Sequence, residues 1–119
     1  MIPLNKRSNI LYSSQNGTNG EVMLSKNKSN YNTLEIFYGN NSKTGAGSIK
    51  VLPSSKGFDT YIIAGVKEGT QLFINSSRYT MSENKLTPSI CIQTILTKTS
   101  TSVTSITNQI YIYKVVGYI

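Results

Sequence analysis

The chain has 119 residues, enough for one domain whose core needs neither metal nor disulfide. It carries 12 Lys and Arg against 5 Asp and Glu, a net charge of +7, and no histidine. That composition removes the usual general base, the commonest metal ligand and the common nucleophilic triads. The single cysteine, Cys91, excludes an intramolecular disulfide and reads as a buried thiol in the apolar run 89–93.

Asn, Ser and Thr supply about a third of the residues, and Ile, Val and Tyr dominate the apolar positions. These are strand and turn formers, so the composition predicts an all-β chain. Residues 1–7 hold no apolar stretch of the kind a leader peptide needs. No run approaches the ~20 apolar residues of a spanning helix, so neither secretion nor membrane insertion is expected.

The first predicted strand covers 9–13. It is followed by Ser-Ser-Gln-Asn-Gly-Thr-Asn-Gly, whose two Asn-Gly pairs predict a hairpin with a return strand over 20–25. Residues 25–32 are polar and suit a single helical turn capped by Ser25 or Asn27. A clear strand over 32–38 puts Leu34, Ile36 and Tyr38 on one face and Thr33, Glu35 and Phe37 on the other. A loop over 39–47 carries Lys43 near its tip, and a strand follows over 48–52.

After a turn at 53–57, a strand over 58–66 faces Tyr61, Ile63 and Asp59 together. Lys67-Glu-Gly69 makes a tight turn into a strand over 70–81, expected to bend or bulge near Ser76 and Ser77. A turn at 83–85 leads to a long strand over 88–97. The Ser/Thr-rich stretch 97–107 reads as a loop or weak edge strand.

The last strand, 108–119, is apolar on both faces: Ile110, Ile112 and Val116 on one, Tyr111, Tyr113, Val115 and Ile119 on the other. It must therefore be covered on both sides, inside a sandwich, a barrel or a subunit contact. The sum is a single-domain antiparallel β-sandwich or barrel of about eight or nine strands.

Catalysis is not expected. The only acids are Glu21, Glu35, Asp59, Glu68 and Glu83, and no nucleophile elbow, phosphate loop or dinucleotide fingerprint is present. No cofactor or metal is implied. Three places combine an aromatic ring with amide or charged groups, the mixture that recognises sugars and polyol phosphates. They are Tyr38, Asn40, Asn41 and Lys43; Lys56, Phe58 and Asp59; and Asn75, Arg78 and Tyr79.

Both ends of the chain resemble one family. Ile10-Leu-Tyr-Ser-Ser, an Asn-Gly turn, Val22-Met-Leu-Ser and Ser29-Asn-Tyr-Asn-Thr-Leu-Glu-Ile-Phe-Tyr open it, and Ile112-Tyr-Lys-Val-Val-Gly-Tyr closes it. These segments, about a third of the chain, resemble the C-terminal domains of tail-fibre and baseplate receptor-binding proteins. The family belongs to phages of Gram-positive bacteria and to phage-like particles. The resemblance implies a β-sandwich or barrel assembled as a homotrimer at the virion tail tip. It also implies neighbouring tail proteins as partners and a host cell-wall saccharide as ligand. It carries no binding residue over, because residues 40–106 are unmatched. A full tail protein would have an attachment region before this domain. The expectation is an excised head domain with an added Met1, or a small stand-alone relative.

The positive charge suits an anionic wall polymer such as teichoic acid. The rival readings are a fibre cap that assembles without binding sugar, and a nucleic-acid-binding barrel. The latter requires basic residues interleaved with exposed rings on one face. Lysines here fall mostly in or near turns, so no nucleic-acid partner is expected.

Overall fold

The computed structural model describes residues 7–43 and 46–119. The leaderless reading of the N-terminus therefore falls largely outside the described residues, as do positions 44 and 45 of the 39–47 loop.

Among the described residues, nine strands form two antiparallel sheets. They are β1 (Ser8–Thr18), β2 (Val22–Met23), β3 (Thr33–Gly39), β4 (Gly47–Val51), β5 (Gly57–Lys67), β6 (Gln71–Met81), β7 (Lys85–Leu96), β8 (Thr101–Ser105) and β9 (Tyr111–Tyr118). One sheet has the order β1-β9-β3-β4. The other has β2-β7-β6-β5, with β8 beside β7. Strands β2 and β8 share one edge of β7: β2 pairs with Lys85 and Leu86, and β8 pairs with 92–96. The helical turn expected over 25–32 is a 3-10 turn over Lys28–Asn30. Its cap is Asn27, whose side chain accepts from the Ser29 N–H at 2.9 Å.

The core lies between the sheets. Leu34, Ile36, Ile112 and Val115 from the first sheet face Val22, Phe58, Tyr79 and Leu86 from the second, all buried. The alternation predicted for β3 holds: Leu34 and Ile36 are fully buried, while Glu35 and Phe37 lie on the other face. A buried polar knot ties the sandwich together at Asn108. Its side chain donates to the Asn19 carbonyl (2.8 Å) and to the Tyr79 hydroxyl (2.9 Å), and it accepts from Ser77 and from the Ile110 N–H (2.9 Å). The amide is thereby satisfied on both ends, as a buried polar group must be.

The structure corrects three local expectations. β1 and β2 are not a hairpin, because β1 pairs with β9 and β2 with β7. The first Asn-Gly lies inside β1, where Gly17 adopts φ 76° at an irregularity between Ser13 and Thr18. There the positive φ re-aims a strand instead of reversing it.

The faces of the last strand also differ. β9 sits centrally between β1 and β3, and an extra residue at Tyr113 shifts the alternation. Ile112 and Val115 both point inward as a result, while Val116 lies on the opposite face. Finally, β6 is regular at Ser76 and Ser77. The bulges lie in its neighbours, between Ile63 and Gly65 in β5 and opposite Arg78 and Tyr79 in β7. The β7 bulge accommodates Pro88, which has no N–H to give a ladder.

The molecule is elongated, 56 × 23 × 22 Å, because β5 to β8 form a meander that runs long. Its far part is a four-stranded blade whose outer face reads across in rows: Ile63, Ile74, Thr94, Val103, then Val66, Leu72, Leu96, Thr101. At its tip, Glu68 (φ 55°) and Gly69 (φ 67°) are the central residues of the turn 67–70 between β5 and β6, and the Thr70 N–H bonds the Lys67 carbonyl at 3.1 Å. Two consecutive positive φ values mark the turn whose twist matches the flanking strands.

Candidate functional site

Register brings two of the three predicted clusters together. Gly57 lies opposite Thr80, Phe58 opposite Tyr79 and Asp59 opposite Arg78. Strand alternation then divides the six candidates there. Phe58 and Tyr79 point inward, with their rings stacked at 5.2 Å and 6°. Tyr79 is fully buried, and its hydroxyl donates to the Ile110 carbonyl at 3.3 Å. Burial pushes its phenol up to about 12, opposed by the Asn108 hydrogen bond and reinforced by Cys91. Asn75 is also buried, and its side-chain oxygen accepts from Gln93 at 3.0 Å. These three groups are committed to the core and offer a ligand no face.

Asp59, Arg78 and Lys56 remain at the surface. The Arg78 Nε donates to Asp59 at 2.8 Å, with both side chains well exposed. The hydrogen bond to Asp59, aided by its charge, holds the guanidinium above its ordinary value. An exposed pair like this contributes little to stability, and solvent reaches its unused donors and acceptors.

Two adjoining depressions share this pair. The smaller, about 290 Å³, is bordered by Lys56, Gly57 and Thr80. The larger, about 470 Å³, runs along the outer face past Tyr61, Ser76, Ile90 and Ile92. Tyr61 is 65% exposed, which leaves the ring free to cover a flat apolar face of a ligand. The groove therefore brings together a carboxylate, a guanidinium, hydroxyls and an open aromatic ring. A few polar groups on a mostly apolar wall is the usual make-up of a small-ligand site. Tyr61 was not among the sequence candidates, although its alignment with Asp59 on one strand face was legible.

The remaining cluster lies elsewhere and is largely occupied with its own loop. The Asn40 side chain accepts from the Ser42 N–H at 2.9 Å, and its carbonyl receives the Lys43 N–H (3.0 Å) and the Tyr113 hydroxyl. Asn41 accepts from the Ser42 hydroxyl at 3.3 Å. Lys43, at φ 63°, holds its ammonium 5.3 Å from the Tyr113 ring centre, within cation–π range. Tyr38 is half-buried on β3. Burial pushes its phenol up, reinforced by the Tyr61 phenol and opposed by a hydrogen bond with the Tyr61 backbone. Tyr38 thus buttresses the strand that carries Tyr61, and the rest of its cluster sits apart from the groove.

Among the described residues no group of three or more His, Cys, Asp or Glu could hold a metal ion. Among the described residues no helix is long and apolar enough to cross a membrane. No known family model and no curated protein matches the chain.

Proposed function

We propose that this chain is a non-enzymatic adhesion domain of a phage tail or baseplate that binds host cell-wall saccharide in the Asp59–Arg78 groove. The observation that carries the reading is the groove itself. Tyr61 offers an exposed ring beside an ion pair whose remaining hydrogen-bonding capacity faces solvent. A sugar presents C–H faces to an aromatic ring and hydroxyls to a carboxylate and a guanidinium. Phosphate on a wall polymer would also meet Arg78, and Lys56 borders the adjoining hollow. The family resemblance of the two chain ends supports the same assignment, with a homotrimer at the tail tip and other tail proteins as neighbours. In such an assembly weak single sites sum to strong attachment.

Retention on purified Gram-positive cell walls tests the reading. The Arg78→Ala and Tyr61→Ala proteins should each bind about tenfold or more weakly than the wild type, the loss expected for a charged hydrogen bond or a buried ring. Added salt should weaken the wild type where phosphate is contacted. Equal retention of all three proteins would contradict the site. Absence of retention on every wall tested would favour the second reading, a tail-fibre cap that assembles without binding sugar. The apolar outer face of the blade supports that alternative.

A further inference from the structure

We propose that Asn16 is a site of spontaneous covalent modification in the folded protein, converted to aspartate and isoaspartate, and that Asn19, in the second Asn-Gly pair, is protected. The chemistry is intramolecular. A base takes the proton from the Gly17 backbone N–H, and that nitrogen attacks the carbonyl carbon of the Asn16 side chain. The new C–N bond closes an imide ring, and the side-chain nitrogen leaves as ammonia. Water then opens the ring at either carbonyl. One opening leaves aspartate; the other leaves isoaspartate, whose backbone runs through the former side chain. The net change consumes water, turns an amide into a carboxylate and releases ammonium. Glycine hinders the attack least, because it has no Cβ and turns freely.

Both Asn-Gly pairs meet that sequence requirement, and the structure separates them. β1 pairs Ser13 with Lys114 and Thr18 with Ile112, so residues 14–17 stand opposite Tyr113 alone. A stretch of that length against one residue cannot all join the ladder. The Gly17 N–H goes to the Ser14 hydroxyl at 3.1 Å, and Gly17 sits at φ 76°. Asn16 is exposed, and among the described residues its side-chain amide has no hydrogen-bond partner. The amide is therefore free to swing onto the Gly17 nitrogen once the Ser14 bond opens. Segments held this loosely open locally at low cost.

Asn19 is held at both ends. Its side-chain NH2 donates to the Asn108 carbonyl at 3.2 Å, and its backbone carbonyl accepts from the Asn108 side chain at 2.8 Å. Bringing its side-chain carbonyl onto the Gly20 nitrogen breaks the first bond and disturbs the buried polar knot. No other asparagine in the chain precedes a glycine. The product at Asn16 adds a negative charge to a chain of +7. As isoaspartate it also adds a backbone methylene, where β1 is already irregular against β9. The inference stands on β1 alone and does not depend on sugar binding.

Incubation of the intact protein at pH 8, followed by peptide mapping with mass spectrometry, tests it. A parallel sample unfolded in urea is the reference, in which both pairs are free and should convert at comparable rates. In the folded protein Asn16 should still convert, giving both aspartate and isoaspartate. Asn19 should convert about tenfold or more slowly than Asn16, the factor expected when a hydrogen bond has to break before reaction. A more acidic form should separate on cation exchange as Asn16 is lost. The Asn16→Gln protein, changed only at an exposed side chain, should not form it at that rate. An Asn16 that survives in the folded protein as long as Asn19 overturns the proposal, as does faster conversion at Asn19. Formation of the acidic form at an undiminished rate in Asn16→Gln overturns it as well.

Discussion

At the scale of single residues, Tyr79 and Asn108 show how a β-sandwich manages polarity in its core. Tyr79 has a ring that fills space against Phe58 and a hydroxyl that must find partners, and Asn108 supplies one of them. The arrangement fixes the pH dependence of stability. An unfolded tyrosine ionises near pH 10, whereas burial holds the folded Tyr79 phenol neutral to about 12. A raised acid pKa leaves stability intact below pH 10. Above that, the unfolded state releases its proton first, so stability falls as pH rises toward 12. Burial raises Tyr38 and the Glu35 hydrogen bond raises Tyr118, both in the same direction. Denaturant melts from pH 8 upward should therefore show a decline beginning near pH 10. The Tyr79→Phe protein should lose about 1 kcal/mol at neutral pH and decline less steeply above pH 10. Parallel curves for the two proteins would refute the assignment.

At the scale of elements, the strands that follow strict alternation were legible and those that bulge were not. β3 reads directly from Leu34, Glu35, Ile36 and Phe37. The β5–β6 turn reads from Lys67-Glu-Gly69. β9 has the same quality of pattern, but an extra residue at Tyr113 moves Val115 inward, and nothing in the residue types marks where a bulge falls. Asn16-Gly17 is the strongest local turn signal in the chain, yet the positive φ serves a strand irregularity, because tertiary pairing of β1 with β9 outweighs local preference. Gly117 shows the reverse case, a small residue required by packing. A Cβ there would lie 2.6 Å from the Tyr31 ring, so β9 and the segment after the 3-10 turn approach closely only across a glycine. Gly117→Ala should destabilise the protein by about 1–3 kcal/mol, the cost of forcing a methyl into a packed core. Chemical denaturation checks this, and an unchanged midpoint would show that Tyr31 moves aside freely.

At the scale of the whole molecule, the site was half legible. Asp59, Arg78 and Lys56 stood out as residue types, and period-two alternation already separates Asp59 from Phe58 and Arg78 from Tyr79. What the sequence could not supply was the register that sets 57–59 against 78–80 and merges two clusters into one groove. Nor could it supply the length of the meander, which places a charge-free apolar blade beyond that groove. The outcome is a molecule with distinct ends. The sandwich is held by its core and the Asn108 knot. The groove lies at the base of the blade, whose strands carry no lysine, arginine or acid between Asp59–Arg78 and the tip.

The central claim is that the Asp59–Arg78 groove is where saccharide binds, and backbone amide NMR tests it most directly. A labelled sample would be titrated with soluble wall polysaccharide or teichoic acid from a Gram-positive host. The account predicts that shifts cluster on Asp59, Tyr61, Ser76, Arg78 and Ile90, with smaller changes at Lys56 and Thr80. Shifts centred instead on Asn40, Asn41 and Lys43, or spread evenly over the scattered lysines, would contradict it.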